Sequence, residues 1–293
     1  RDYKVTGVQT CALPISVADD PDDAARAEVE AGSGVFQALS KTAGAGADHG
    51  APVFLFPPNG TTAMYFQRLA ADLDLDRRLL AMRGEIAWDE GSVGAVTDRV
   101  LERLLAEQPR GPYVLVAACL GAHFAYDVAR RLAARDEAVR LFVIDAVSPS
   151  TAERQTVGET IPPGWLYRPR VMYRAVFEFG WRYVLHRLRL RWKSRRSPEV
   201  RWYMELLLRQ TALLSGLQAT PSRVDIVVIE SEQLNREGAH TAGWQALAQG
   251  GFESIVIPGS SHYEVNSAQS RYSPAIAAMI RKRLPGDSQG DPA

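Results

Sequence analysis

Residues 112–132 read PYVLVAACLGAHFAYDVARRL. An apolar run over 113–118 meets a stretch of helical spacing over 121–134 through one tight turn, Ala117-Ala118-Cys119-Leu120-Gly121. The turn has the form Gly-x-Ser-x-Gly, with Ala for the first Gly and Cys for Ser, the pattern of a nucleophile held between a strand and a helix. Such a turn needs small residues two before and two after the nucleophile, because side chains there would collide with the neighbouring strand and helix. Ala117 and Gly121 meet that need. A helix N-terminus beneath Cys119 also favours a thiolate. The plain alternative is that Cys119 is a small buried hydrophobe at a strand end, so the rest of the chain must decide.

Working outward, strands and helices alternate. Short apolar runs predict strands at 53–56, 78–82, 139–145, 224–230 and 254–258 besides 113–118. Helical spacing appears at 62–73, 92–108, 121–134 and 274–284. This alternation implies an α/β fold, a mostly parallel sheet flanked by helices. Residues 150–220 break the rhythm. They read as a helical insertion rich in Trp and Tyr, and from Arg168 to Arg201 they carry eleven basic residues against two acidic ones. An insertion between two such strands lies over their C-terminal ends, where ligands bind, so it reads as a lid. A solvated basic face is the competing reading; nucleic-acid binding is not expected, because no nucleic-acid-binding motif accompanies it.

The flanks read differently. The start, RDYKVTGVQTCALPI, has no apolar core long enough for a secretory signal. It reads as a translated sequencing adapter joined in frame, so residues 1–16 are set aside and the natural chain is expected to continue upstream. Residues 17–50, rich in Ala, Asp and Gly, read as a flexible linker with one short helix near 24–31. The domain is expected over 51–285, with a disordered tail at 286–293. The chain has 293 residues, 46% apolar and 23% charged, with 34 basic and 34 acidic side chains, so net charge selects no partner. There is no run of eighteen apolar residues and hence no expected membrane span. Two cysteines make no disulfide framework and no metal cluster, and a cytoplasmic setting is expected.

A nucleophile at Cys119 needs an acid and a base further along the chain. Asp145 ends the strand that follows the 121–134 helix, and His262 lies in the loop after the last strand. Glu230 and Glu232, at the end of the 224–230 strand, are rival acids. The other histidines compete weakly: His49 is in the linker, His186 in the basic insertion, His240 before a helix start, and His123 on the helix two residues past the turn. An oxyanion hole requires two backbone N–H groups. Leu120 supplies one. The turn Pro57-Pro58-Asn59-Gly60-Thr61 supplies the other, assigned to Asn59 because Pro58 has no N–H.

Three stretches now carry a resemblance: VFLFPPNGTTAMYFQRLAADL from 53, GPYVLVAACLGAHFAYDVARRLAARDEAVRLFVIDA from 111 and GWQALAQGGFESIVIPGSSHYEV from 243. Together they resemble the thioesterase domains that end nonribosomal peptide synthetases and polyketide synthases, of α/β-hydrolase fold. The resemblance implies an acyl chain delivered on the phosphopantetheine arm of a carrier protein, with no other cofactor. It favours Asp145 over Glu230 as the acid and matches Asn59 and Leu120 to the oxyanion positions. Two departures stand out: Ala117 for the usual Gly, a mild steric change, and Cys119 for the usual Ser. A thioester acyl-enzyme keeps more of the carrier thioester's reactivity than an oxoester. The implied function is chain release by hydrolysis or cyclisation through a Cys119–His262–Asp145 triad, with the basic insertion docking the carrier. The alternatives are a cysteine hydrolase acting on free esters or lactones, and a non-catalytic carrier-binding module.

Overall fold

A computed structural model describes residues 34–39, 50–58, 61–83, 92–149, 197, 217, 219–236 and 239–285. The elements in chain order are β1 (Phe36–Ala38), β2 (Gly50–Phe56), a 3₁₀ turn (Ala63–Phe66), α1 (Gln67–Leu73), β3 (Arg77–Met82), α2 (Val93–Glu107), β4 (Tyr113–Ala118), α3 (Gly121–Ala133) and β5 (Val139–Ile144). After the insertion come β6 (Asp225–Ser231), α4 (Glu232–Arg236), α5 (Ala239–Leu247), β7 (Gly251–Ile257), α6 (His262–Val265) and α7 (Ser273–Arg281).

The strands form one sheet in the order β1-β3-β2-β4-β5-β6-β7. Every pair is parallel except β1 with β3. The chain steps from β2 outward to β3 and then returns to β4 on β2's other side. Strand order therefore reverses beside β2 and β4, and a crevice forms at the C-terminal ends of strands at such a reversal. Pro57 leaves β2 and Cys119 leaves β4 at this place.

Alternation along the strands builds two cores. Tyr113, Leu115 and Ala117 of β4 face Val96, Val100 and Leu104 of α2 and the apolar side of α3. Val114, Val116 and Ala118 face the other way, toward Phe66, Leu69 and Leu73 and toward Ile276 and Ile280 of α7. β4 and β5 are buried on both faces, which is why they read as unbroken apolar runs.

Most expected elements appear with ends shifted by one to three residues. The linker expected over 17–50 needs correction at its end. Phe36–Ala38 form the antiparallel edge strand β1, with Val35 buried and the Phe36 ring 5.3 Å from that of Phe54. Three residues with a single large apolar side chain carry no readable period, so β1 exists only through its pairing with β3. The helix expected over 62–73 splits into the 3₁₀ turn and α1. The adapter-like start, most of the 150–220 insertion, the tail at 286–293 and Asn59 lie outside the described residues. Among the described residues no helix is long and apolar enough to cross a membrane.

Candidate active site

Cys119 leaves β4 with φ of 48°, in the left-handed region that non-glycine residues rarely enter. Two backbone bonds hold it there. Its N–H donates to the Ile144 carbonyl at 3.0 Å, and its carbonyl accepts from the Ala122 N–H at 3.1 Å. The steric demand read from the sequence is visible at Gly121. A Cβ there would lie 2.3 Å from the Pro57 carbonyl oxygen and 2.7 Å from that of Phe56, so α3 begins in contact with the backbone leaving β2. Ala117 is fully buried between Phe56 and Val143 of the neighbouring strands. The thiol stays half-buried at the N-terminal end of α3. Leu120 is the N-cap of that helix, and among the described residues no carbonyl accepts its N–H.

Asp145 follows β5 directly, also with positive φ, at 46°. It is fully buried, and its two carboxylate oxygens have separate partners. Oδ1 accepts from the Ser231 N–H at 2.6 Å; Oδ2 lies 2.7 Å from Nδ1 of His262. The Asp145 N–H donates to the Ile229 carbonyl at 2.7 Å, so β6 brackets the residue from both sides.

His262 opens α6. Ser261 caps the helix, its side chain accepting from the Glu264 N–H while the Glu264 carboxylate accepts from the Ser261 N–H, a reciprocal capping box. The His262 N–H donates to Gln233 Oε1 at 3.2 Å. With Nδ1 engaged by Asp145, the other ring nitrogen remains for Cys119, which lies near enough to favour the charged imidazolium. Burial works against the charged imidazolium. The hydrogen bond that Asp145 accepts, with the charges of Asp145 and the nearby Cys119, outweighs it and carries the His262 pKa up to about 10.

The structure thus pairs Asp145 with His262 and places Cys119 close to His262. It separates the rival acids from them. Glu230 is fully buried, but its carboxylate accepts from Thr241 Oγ1 at 2.9 Å and Ser254 Oγ at 2.7 Å. The side-chain alternation of β6 turns it to the α5 side of the sheet, opposite Ile229. Glu232 accepts from the Gly259 N–H at 2.6 Å and pairs with Arg236, and these hold its carboxyl below the usual range. It braces the loop before His262. Of the other histidines, His123 is buried and described below; His49 and His186 lie outside the described residues.

One neighbour carried no sequence signal. Asn266, at the C-cap of α6, places Nδ2 3.1 Å from the Asp145 carbonyl, 3.2 Å from Asp145 Oδ2 and 3.3 Å from His262 Nδ1. Only the packing of α6 against β6, beside the end of β5, brings it to the pair. Among the described residues no group of three or more His, Cys, Asp or Glu side chains is placed to hold a metal ion.

Residues 51–166, the region that carries Cys119 and Asp145, match the family described as Thioesterase domain. Among solved structures the chain is similar to holo-AB3403, a four-domain nonribosomal peptide synthetase bound to AMP and glycine. The TM-score is 0.61 at 18% identity, covering 89% of this chain and 21% of that one, so this chain spans about a fifth of that protein. It is similar to the Vlm2 thioesterase domain bound with a dodecadepsipeptide, with a TM-score of 0.58 at 16% identity over 85% of this chain and 97% of that one. It is also similar to the RedJ thioesterase from the prodiginine pathway of Streptomyces coelicolor, with a TM-score of 0.56 at 16% identity over 84% and 97%. At these identities the likeness concerns the fold, which is the α/β-hydrolase fold. Comparison with curated proteins gives no match.

Proposed function

We propose that this chain, whose residues 51–166 match the thioesterase-domain family, releases an acyl or peptidyl chain from the phosphopantetheine thioester of a carrier protein through an acyl-Cys119 intermediate. The observation that carries the reading is Asp145 Oδ2 at 2.7 Å from His262 Nδ1, with Cys119 on a positive-φ turn at the N-terminus of α3.

In this reading His262 holds the Cys119 proton, and the thiolate attacks the thioester carbonyl. The oxyanion that forms lies against the Leu120 N–H and, at the position matched by Asn59, a second N–H from the turn after β2. Collapse breaks the carbonyl–sulfur bond to the carrier arm, which leaves as a thiol with the proton from His262. His262 then takes a proton from water, or from a hydroxyl or amine of the acyl chain, as that group attacks acyl-Cys119. The product departs and Cys119 is restored. Asp145 stays ionised throughout and keeps the imidazole oriented. These steps draw on the chain's own side chains and the carrier's arm, with no further cofactor. The basic stretch between Arg168 and Arg201 is the proposed landing surface for an acidic carrier, which makes kcat/KM fall as salt rises.

The test uses an acyl-loaded carrier with Cys119→Ala and Cys119→Ser. Intact-mass measurement should find the acyl group on Cys119 in the parent chain and none in the alanine variant, whose turnover should drop by about 10⁴-fold or more. Unchanged turnover in Cys119→Ala would sink the reading. Faster turnover of a free ester or lactone than of the loaded carrier would instead favour a carrier-independent hydrolase.

A further inference from the structure

The backbone just past Asp145 is held in a way the Asp145–His262 pair alone does not require. Three consecutive carbonyls, of Asp145, Ala146 and Val147, each accept a hydrogen bond from a side chain of a different helix or helix end. Asn266 Nδ2 reaches the first at 3.1 Å, Trp244 Nε1 the second at 2.7 Å and His123 Nε2 the third at 2.9 Å. Loop carbonyls ordinarily turn to water; here three in a row are served from α6, α5 and α3.

We propose that Asn266, Trp244 and His123 form a positioning clamp that fixes the angle at which Asp145 presents Oδ2 to His262. The proposal rests on the catalytic reading of that pair.

Each donor is itself immobilised. Trp244 is fully buried, and its ring meets Tyr126 edge-on at 5.9 Å between centroids. His123 is buried on the first turn of α3, four residues from the nucleophile. A carbonyl only accepts, so Nε2 of His123 carries the hydrogen and the ring is the Nε2–H tautomer. Burial lowers its pKa to about 4, which keeps it neutral above that value. Asn266 is the member that touches both partners. Its amide nitrogen faces only acceptors at Asp145, which fixes the amide's orientation, and its Oδ1 is buried with no hydrogen-bond partner among the described residues. A fold that needed only a helix end there would not bury an unpaired amide oxygen; the Nδ2 contacts are what the position selects.

The clamp answers a specific problem. Asp145 sits in the left-handed region, a strained conformation that persists only where its surroundings over-determine it. With the carbonyls released, the residue relaxes and Oδ2 swings from His262.

Two readouts on the intact chain decide the matter. The first is the pH profile of Cys119 alkylation by iodoacetamide. The second is turnover of a small acyl-N-acetylcysteamine thioester. The variants are His262→Ala, Asn266→Ala, Asn266→Asp and Trp244→Phe, which removes one N–H while keeping a ring. In the clamp variants kcat should fall about ten- to hundredfold with little change in KM, and the alkylation profile should change in the same sense as in His262→Ala. Asn266→Asp should show the larger loss, because it sets a second carboxylate against Asp145. If Trp244→Phe does not fold, Asn266→Ala decides alone. Unchanged kcat and alkylation profile in Asn266→Ala, alongside a shifted profile in His262→Ala, would overturn the clamp and leave the catalytic pair standing. A profile that His262→Ala leaves unmoved would remove the pair and the clamp together.

Discussion

Cys119 and Asp145 both leave a strand with positive φ, at 48° and 46°, and they are held there by different means. At Cys119 the constraint is backbone against backbone. Gly121 brings α3 onto the Pro57 carbonyl, and main-chain bonds to Ile144 and Ala122 close the turn. At Asp145 the constraint is a set of donors from β6, α3, α5 and α6, most of them side chains. The first corner is made by the shape of main chain packed on main chain. The second is assembled from residues up to 121 positions from Asp145. Changes at the first should therefore act on the fold and carry the chemistry with them, whereas changes at the second should separate the two.

The most damaging test of that contrast is Gly121→Ala. A methyl group 2.3 Å from a carbonyl oxygen forces backbone to move, and we expect a loss of about 3 kcal/mol or more. Thermal denaturation should report it, together with loss of turnover; a variant as stable as the parent would break the comparison. Asp145→Asn keeps volume but exchanges an acceptor for a donor facing His262. Turnover should fall about 10³- to 10⁴-fold while the melting temperature changes far less than in Gly121→Ala.

The two described histidines near these corners sharpen it next, because their shifts are opposite. His262 is raised to about 10, so the stability it contributes is complete below its unfolded value of 6.5 and is lost as pH rises through about 10. His123 is lowered to about 4, so the unfolded chain binds its proton first and stability falls as pH drops from 6.5 toward 4. That loss is on the order of 3 kcal/mol at most. Denaturation across pH should show His262→Ala flattening the alkaline limb and His123→Gln the acid limb; interchange of the two would contradict the assignments. The smallest expected effect is Glu230→Gln. It should leave turnover unchanged and cost about 1 kcal/mol by altering the bonds to Thr241 and Ser254. A large loss of turnover would return Glu230 to the site.

The turn at Cys119 was legible because its sequence signal is local. Small residues at 117 and 121 around Cys119, a strand before and a helix after are all properties of one continuous stretch. The strands were legible because β4, β5 and β6 are buried on both faces, and burial on both faces writes an unbroken apolar run. β1 was not legible, because three residues acquire strand geometry only from β3 beside them. The acid was open between Asp145 and Glu230 on residues alone. Both end neighbouring strands and both are fully buried. Which of them meets His262 depends on the face to which each side chain turns once the sheet forms. Asp145 sits past the end of β5 and bends back to α6. Glu230 remains in register on β6, facing α5.

By itself, then, the sequence determined the α/β alternation, the strand-to-helix turn at Cys119 and the order of Cys119, Asp145 and His262 along the chain, because period, steric size and chain order are one-dimensional properties. Tertiary structure alone decided that Oδ2 of Asp145 lies 2.7 Å from His262, that Glu230 is turned away, and that Asn266, Trp244 and His123 converge on three consecutive carbonyls. Hydrogen bonds act over about 3 Å in space, and no spacing along a chain records which distant side chains the fold will bring within that reach.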